Sequence, residues 1–210
     1  MTTFFSVSDS NESTQIIKKS EFITTVVPIK DEEDAQSKIN QISDQYAKAN
    51  HHCFAYLLGN HQEIQRSSDN GEPSGTAGVP ILEVLKREHM TNLLVVVTRF
   101  FGGIKLGAGG LIRAYGSSTS QALTESHKVA LIKQVELKIH LDYNQNDQLN
   151  YCLNQVNVQP QQTDYDTRVT TTVLVDETNL ENFKQQLIEL FNGNIQIEQL
   201  EEVTTSKPTE

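Results

Sequence analysis

The chain reads as an α+β protein of two domains, one over residues 1–130 and one over 135–204, with a disordered tail at 205–210. Three observations predict this. Strand-like runs alternate with helical stripes along the 210 residues. Nine of the eleven glycines fall between Gly71 and Gly116, in the runs GEPSGTAG (71–78) and RFFGGIKLGAGGLIRAYG (99–116). The charge also changes along the chain: residues 1–130 carry 12 Lys/Arg against 14 Asp/Glu, and residues 131–210 carry 5 against 13. His127–Gln134 is the expected junction.

The first residues are polar and are expected to fray. Ile16–Ile29, rich in β-branched and aromatic residues, predicts one or two strands. Asp31, Glu32, Glu33 and Asp34 then load the first turn of a helix with the apolar stripe Ala35, Ile39, Ile42, Tyr46 and Ala49. His52–Leu58 and Glu63–Ser67 read as strands joined at Gly59–Asn60. Pro80 suits the first turn of a helix running to about Glu88. NLLVVVTR (92–99) is too short for a typical helix and reads as a strand buried on both faces. A helix with Leu111, Ile112, Tyr115, Ala122 and Leu123 follows the second glycine run.

Beyond the junction, Val135, Leu137, Ile139 and Leu141 alternate as a half-buried strand should. Leu149, Cys152, Leu153 and Val156 mark a helix, and strands follow near 158–165 and 168–175. Thr178 and Glu181 suggest a capping box for a helix that Gly193 can end in the left-handed conformation. Ile195–Val203 is the last strand. The order β-α-β-β-α-β predicts a ferredoxin-like, split βαβ sandwich.

Composition limits function. No apolar run approaches the roughly 18 residues of a membrane helix, and the N-terminal residues lack the pattern of a signal peptide; a cytoplasmic protein is expected. Cys53 and Cys152 have no ligand-like spacing and read as reduced thiols. The net charge of −10 disfavours nucleic-acid binding by the whole chain, so any such binding must use a local patch in the first part.

The glycine runs supply that candidate. Each leads into a helix whose first N–H groups are unpaired and whose dipole is positive. Gly75, Gly102, Gly103, Gly107, Gly109 and Gly110 are candidate anion-binding backbone positions, joined by Ser74 and Thr76 of the first run, with Arg99, Lys105 and Arg113 as cations that could converge on one phosphate. The competing reading is architectural: tight turns, with Arg113 pairing to Glu72 or Asp69 to pin the loops together. Asp69 and Glu72 flank a turn, and turn chemistry accounts for them better than general-base chemistry does. Ser74 and Thr76 read as caps for the following helix rather than nucleophiles. His51 and His52 point to opposite faces of a strand and cannot easily share a metal. No metal and no cofactor is expected, and no nucleotide fingerprint is present.

NHHCFAYLL (50–58), SDNGEPSGTAG (68–78) and VVTRFFGGIKLGAGGLIRAY (96–115) resemble the IMPACT/YigZ family. The resemblance covers nearly the whole chain. It implies an N-terminal domain of the left-handed βαβ type found in a small-subunit ribosomal protein and in elongation factor G, and a C-terminal domain like the last domain of that factor. Eukaryotic relatives regulate translation under nutrient stress through protein–protein competition. The chain departs from the family pattern at Asn70, where a second acid is usual, at Phe100, where Tyr is usual, and at Glu21, where a base is common. The resulting expectation is a translation-associated regulator whose glycine-rich basic face binds the ribosome, RNA or a translation-control protein. The alternatives are an enzyme acting on a small phosphorylated substrate in the same crevice, with Asp69 or Glu72 as acid/base group, and a pure protein-interaction module.

Overall fold

The computed structural model describes residues 3–209. It is a mixed α/β structure with antiparallel sheets, divided into two compact units, Met1–Leu131 with Ser206–Glu210, and Ile132–Thr205. Among the described residues no helix is long and apolar enough to cross a membrane.

The first unit is built on a five-stranded sheet. Its strands are β2 (Asn11–Ile17), β3 (Ser20–Pro28), β4 (His51–Leu58), β5 (Ile64–Ser68) and β6 (Leu93–Phe100), in the order β2-β3-β6-β4-β5 with every pair antiparallel. Three helices cover it: α1 (Glu32–Gln45), α2 (Gly78–Arg87) and α3 (Ala108–Glu125). Period two sorts the central strand β6 between two cores. Leu93, Val95 and Val97 pack with Ile81, Val84 and Leu85 of α2 and Leu111, Ala114 and Tyr115 of α3. Leu94 and Val96 pack with Ala35, Ile39 and Ile42 of α1. This is why the sequence of β6 reads as a continuous apolar run.

Asp31 caps α1, accepting the Asp34 N–H at 2.7 Å. The helix ends at Gln45, one turn before the expected Ala49, which sits in the turn that follows.

The N-terminal segment is ordered where fraying was expected. β1 (Phe4–Val7) pairs antiparallel with the first residues of β7 (Lys128–Leu141), Phe5 opposite Ala130. The Phe5 N–H donates to His89 and the Phe5 carbonyl accepts from Thr91. Met1 and Thr2 lie outside the described residues.

In the second unit, Gln134–Leu141 of β7 pair with β9 (Val169–Asp176), β9 pairs with β8 (Pro160–Tyr165), and β7 also pairs with β10 (Gln196–Pro208). The strand order is therefore β8-β9-β7-β10. Leu149 and Leu153 of α4 (Asn146–Gln155) and Leu180, Phe183 and Leu187 of α5 (Leu180–Leu190) share one core with Val135, Leu137 and Ile139 of β7 and Val173 of β9.

Two expectations fail here. The Thr178–Glu181 capping box does not form: the chain enters α5 through a 3-10 turn at Glu177–Asn179, and no side chain caps the helix. The box lies instead at Asp142 and Gln145. The tail is not disordered from residue 205. β10 continues to Pro208, with the Thr205 hydroxyl donating to Gln134 and the Thr209 hydroxyl to the Lys128 carbonyl. Composition gave no sign of this, because the partner strand lies about seventy residues away. Gly193 does end α5, at φ +77°, donating to the Ile188 carbonyl.

Candidate functional site

The site grows from one row of the first sheet. Ser20 and Phe22 on β3, Arg99 on β6, and His51 and Cys53 on β4 share the parity that faces α2 and α3. Register completes the row: Phe22 and His51 stand directly opposite Arg99, one on either side. Arg99 is the penultimate residue of β6, so the row ends where both glycine loops leave the sheet.

Glu72, from the first loop, meets this row. Its Oε1 accepts from Arg99 Nη1 at 2.5 Å and from the Tyr115 hydroxyl at 2.8 Å. The Arg99 and Glu72 side chains are only 5% and 4% exposed, so this is a fully desolvated, charge-assisted pair. Arg99 Nη2 donates to Ser20 Oγ, which also accepts the Gly102 N–H. The guanidinium lies 5.3 Å from the Phe22 ring centre and 5.7 Å from that of Phe101. Tyr115 packs edge-on against Phe22; burial, with Cys53 and Glu72 alongside, raises its pKa. Cys53 sits 2.9 Å from the Asp69 carbonyl and 3.3 Å from the Tyr115 hydroxyl. Burial pushes its thiol up to about 12, which makes it inert rather than nucleophilic.

Asp69 is committed to the backbone. Its Oδ1 accepts from Ala77 and Gly78, and its Oδ2 from Gly75. Burial raises its pKa, but these three N–H bonds outweigh burial and leave it lowered. Asp69 is therefore the cap of α2, the role expected of Ser74 or Thr76. Ser74 is exposed, and the Thr76 hydroxyl donates back to the Pro73 carbonyl at 2.6 Å. Sequence distance hides the true cap, which lies eight residues before the helix N-cap Ala77.

The two histidines do split between faces. His52 Nδ1 lies 3.2 Å from Thr98 Oγ1 on the α1 side, and burial, then the neighbouring His51, lowers its pKa. His51 Nδ1 lies 2.9 Å from the Asn70 carbonyl. A carbonyl only accepts, so Nδ1 carries the hydrogen of this bond. That Nε2 is 3.9 Å from Glu72 Oε2.

In the second run, Gly103 and Gly107 have φ of +83° and +71°, and Gly109 and Gly110 form the first turn of α3. That turn has no acidic residue and no side-chain cap. Lys105 and Arg113 are exposed, and neither pairs with a described carboxylate. The three expected cations thus do not converge. Arg99 is buried on Glu72, and it, rather than Arg113, pins the two loops together. The parity of β6 turns its side chain inward. Ser20, Phe22, Cys53 and Tyr115 were missed as site residues, because assembling them needs the strand registers; only the parity of Ser20 and Phe22 hinted at a shared face.

These features define a class: a two-unit α+β protein whose first unit closes two glycine-rich loops over a buried Glu–Arg–Tyr network. Residues 18–123 match the Impact N-terminal domain, and residues 139–194 match the Domain of unknown function (DUF1949). The chain is 38% identical over 199 residues to the IMPACT family member YvyE of Bacillus subtilis, covering 93% of this chain and 90% of that protein. It is 32% identical over 188 residues to the IMPACT family member YigZ of Escherichia coli, covering 89% and 92%. Protein IMPACT-B of Xenopus tropicalis is 31% identical over 116 residues, 49% of this chain and 36% of that one. A solved structure described as "Crystal structure of an hypothetical protein" superposes with a TM-score of 0.62 at 29% identity, covering 96% of this chain and 98% of that one. The chain belongs to the IMPACT family.

Proposed function

We propose that this protein is a cytoplasmic, translation-associated regulator whose glycine-rich face binds an anionic component of the translation apparatus: the ribosome, RNA or a translation-control protein. The observation that carries the reading is the surface at the start of α3. There an uncapped helix N-terminus lies between exposed Lys105 and Arg113, on a chain of net charge −10. Bare glycine backbone lets an anion approach amides that side chains would otherwise screen. Buried Arg99 and Asp69 brace the loops and do not touch the ligand. The family membership supports the reading through the resemblance to translation regulators set out above.

Two finer assignments of fold belong to this reading. The second unit is ferredoxin-like: β9 lies between β7 and β8, and β7 between β9 and β10, which is the interleaving of a split βαβ. The first unit is of the elongation-factor type, and the functional domains are 1–130 and 135–204.

The test is co-sedimentation with ribosomes over graded salt. Lys105→Glu combined with Arg113→Glu should abolish binding without unfolding the protein, and wild-type binding should weaken as salt rises. Salt-insensitive binding, or binding unchanged in the double variant, would refute the reading.

The approach of His51 Nε2 to Glu72 Oε2, 3.9 Å apart, is the observation behind a second reading, an enzyme acting on a small phosphorylated substrate in the same crevice. A phosphorylated metabolite that raises Tm in the wild type, but not in His51→Ala, would support it. No shift across a broad metabolite panel would remove it.

A further inference from the structure

The basic face extends beyond the glycine runs. The β2–β3 hairpin turns at Lys18 and Lys19, both with positive φ, 46° and 66°. A Cβ added to Gly102 would lie 1.8 Å from the Lys19 carbonyl oxygen, so the turn is seated directly on the backbone of the second loop. The side-chain bonds between β2 and α3 give the same placement. Asn11 bonds the Ala122 carbonyl, Ser13 bonds Gln121, and Gln15 bonds Ser117 and Ser118. Climbing β2 therefore descends α3. The three residues from Gln15 to Lys18 span about 10 Å of strand, which is about seven residues of helix. From Ser118 that reaches the first turns of α3. Lys18 and Lys19 are exposed, and like Lys105 and Arg113 they pair with no described carboxylate.

Phe101 lies next to Gly102 and is 46% exposed. The Arg99 guanidinium lies against its ring from within, held there by Glu72. The Phe101 N–H donates to Asn50 Oδ1 at 2.7 Å, fixing the backbone beneath. The result is an aromatic ring with a braced inner side and an exposed outer one, next to the Lys18–Lys19 turn that sits on Gly102 and four residues before Lys105.

We propose that Lys18, Lys19, Phe101, Lys105 and Arg113 form one binding surface for a single-stranded oligonucleotide, with a base stacked on Phe101 and the flanking phosphates against the cations. This rests on the reading that the glycine-rich face binds an anion, and it names the ligand. Single strands are favoured because a stacking ring needs a base free of its pair. Nucleic acid is favoured over an acidic peptide because bare glycine amides and free cations match phosphates along a backbone, whereas a peptide would need a pocket for its side chains.

The experiment titrates the full-length protein into fluorescein-labelled U12 and dT12 and follows anisotropy over graded salt. Wild type should bind at least one of the two oligonucleotides, and U12 tighter than dT12 would identify RNA as the source. Lys18→Glu with Lys19→Glu should weaken binding about tenfold or more and flatten the log–log salt slope by about 1.4, the value for two lost single-strand phosphate contacts. Phe101→Leu should weaken binding about tenfold while leaving the slope unchanged, since stacking is lost and charge is not. Unchanged thermal melts keep these results from reflecting unfolding. If the Lys18/Lys19 variant binds like wild type while the Lys105/Arg113 variant does not, the face binds anions but the hairpin is no part of it, and the inference fails alone. If neither oligonucleotide binds while ribosome sedimentation persists, it also fails alone. If polyglutamate displaces the oligonucleotide as well as unlabelled U12 does, the ligand class is wrong. If ribosome binding is absent as well, both readings fall.

Discussion

Arg99 and Glu72 show what a buried charge demands of its neighbours. With both side chains about 95% buried, each charge depends on the other for compensation. Arg99→Met would leave the Glu72 carboxylate with the Tyr115 hydroxyl alone among its strong donors. Unfolding in urea should show a loss of about 3–5 kcal/mol. Adding Glu72→Leu should recover most of it, because the uncompensated charge then disappears. Asp69 makes a different prediction. Its folded pKa is lowered, so its stabilising contribution is complete above the ordinary carboxylate value of 3.8 and is lost as pH falls through the lower folded value. Asp69→Asn should therefore flatten the acid limb of the stability–pH curve, and Asp69→Ala should cost about 1–2 kcal/mol at neutral pH through the lost helix cap. Residue type pointed to turn chemistry and loop pinning, but not to which acid does which. Asp69 and Glu72 are three positions apart in one turn, yet one caps a helix and the other neutralises a buried arginine.

At the scale of elements, the two glycine loops are held by contact rather than by turn propensity alone. Gly102 has no room for a methyl group, since the atoms in its way are the backbone of Lys19 and Ser20, which cannot rotate aside. Gly75 has positive φ, and a Cβ there would have nothing within 4 Å. Gly75→Ala should thus cost only the backbone term, about 1–2 kcal/mol. Gly102→Ala should cost more, about 3 kcal/mol, because the hairpin must lift off the loop. Chemical unfolding of the two variants compares them, and the reverse order would overturn this account of the Lys18–Lys19 turn. The helices and central strands of both units were legible from periodicity, because each buries a full face. β1 and the end of β10 were not. β1 has only four residues, Phe4–Val7, the end of β10 is polar, and each is ordered by pairing with a strand far away in sequence.

For the whole molecule, the contrast in charge is the property with most consequence. The net −8 over residues 131–210 repels phosphate, so the proposed anionic ligand is expected at the first unit rather than the second. The second unit has a core of its own, from Val135 to Phe191. Residues 132–205 expressed alone should unfold in a single cooperative thermal transition; a broad, non-cooperative melt would show that this core depends on the rest of the chain.

Sequence alone determined the α+β class, the order of the elements after the first strand, the resemblance to the IMPACT family, and the glycine runs as the place to look. These follow from local periodicity and from residue types with narrow conformational uses. Tertiary structure decided which cation is buried and which face solvent, which acid caps a helix, and which hairpin sits on the second loop. Those outcomes depend on strand register and on contacts between residues up to about eighty positions apart. A one-residue shift of β6 would turn Arg99 to the opposite face and leave Glu72 unpaired.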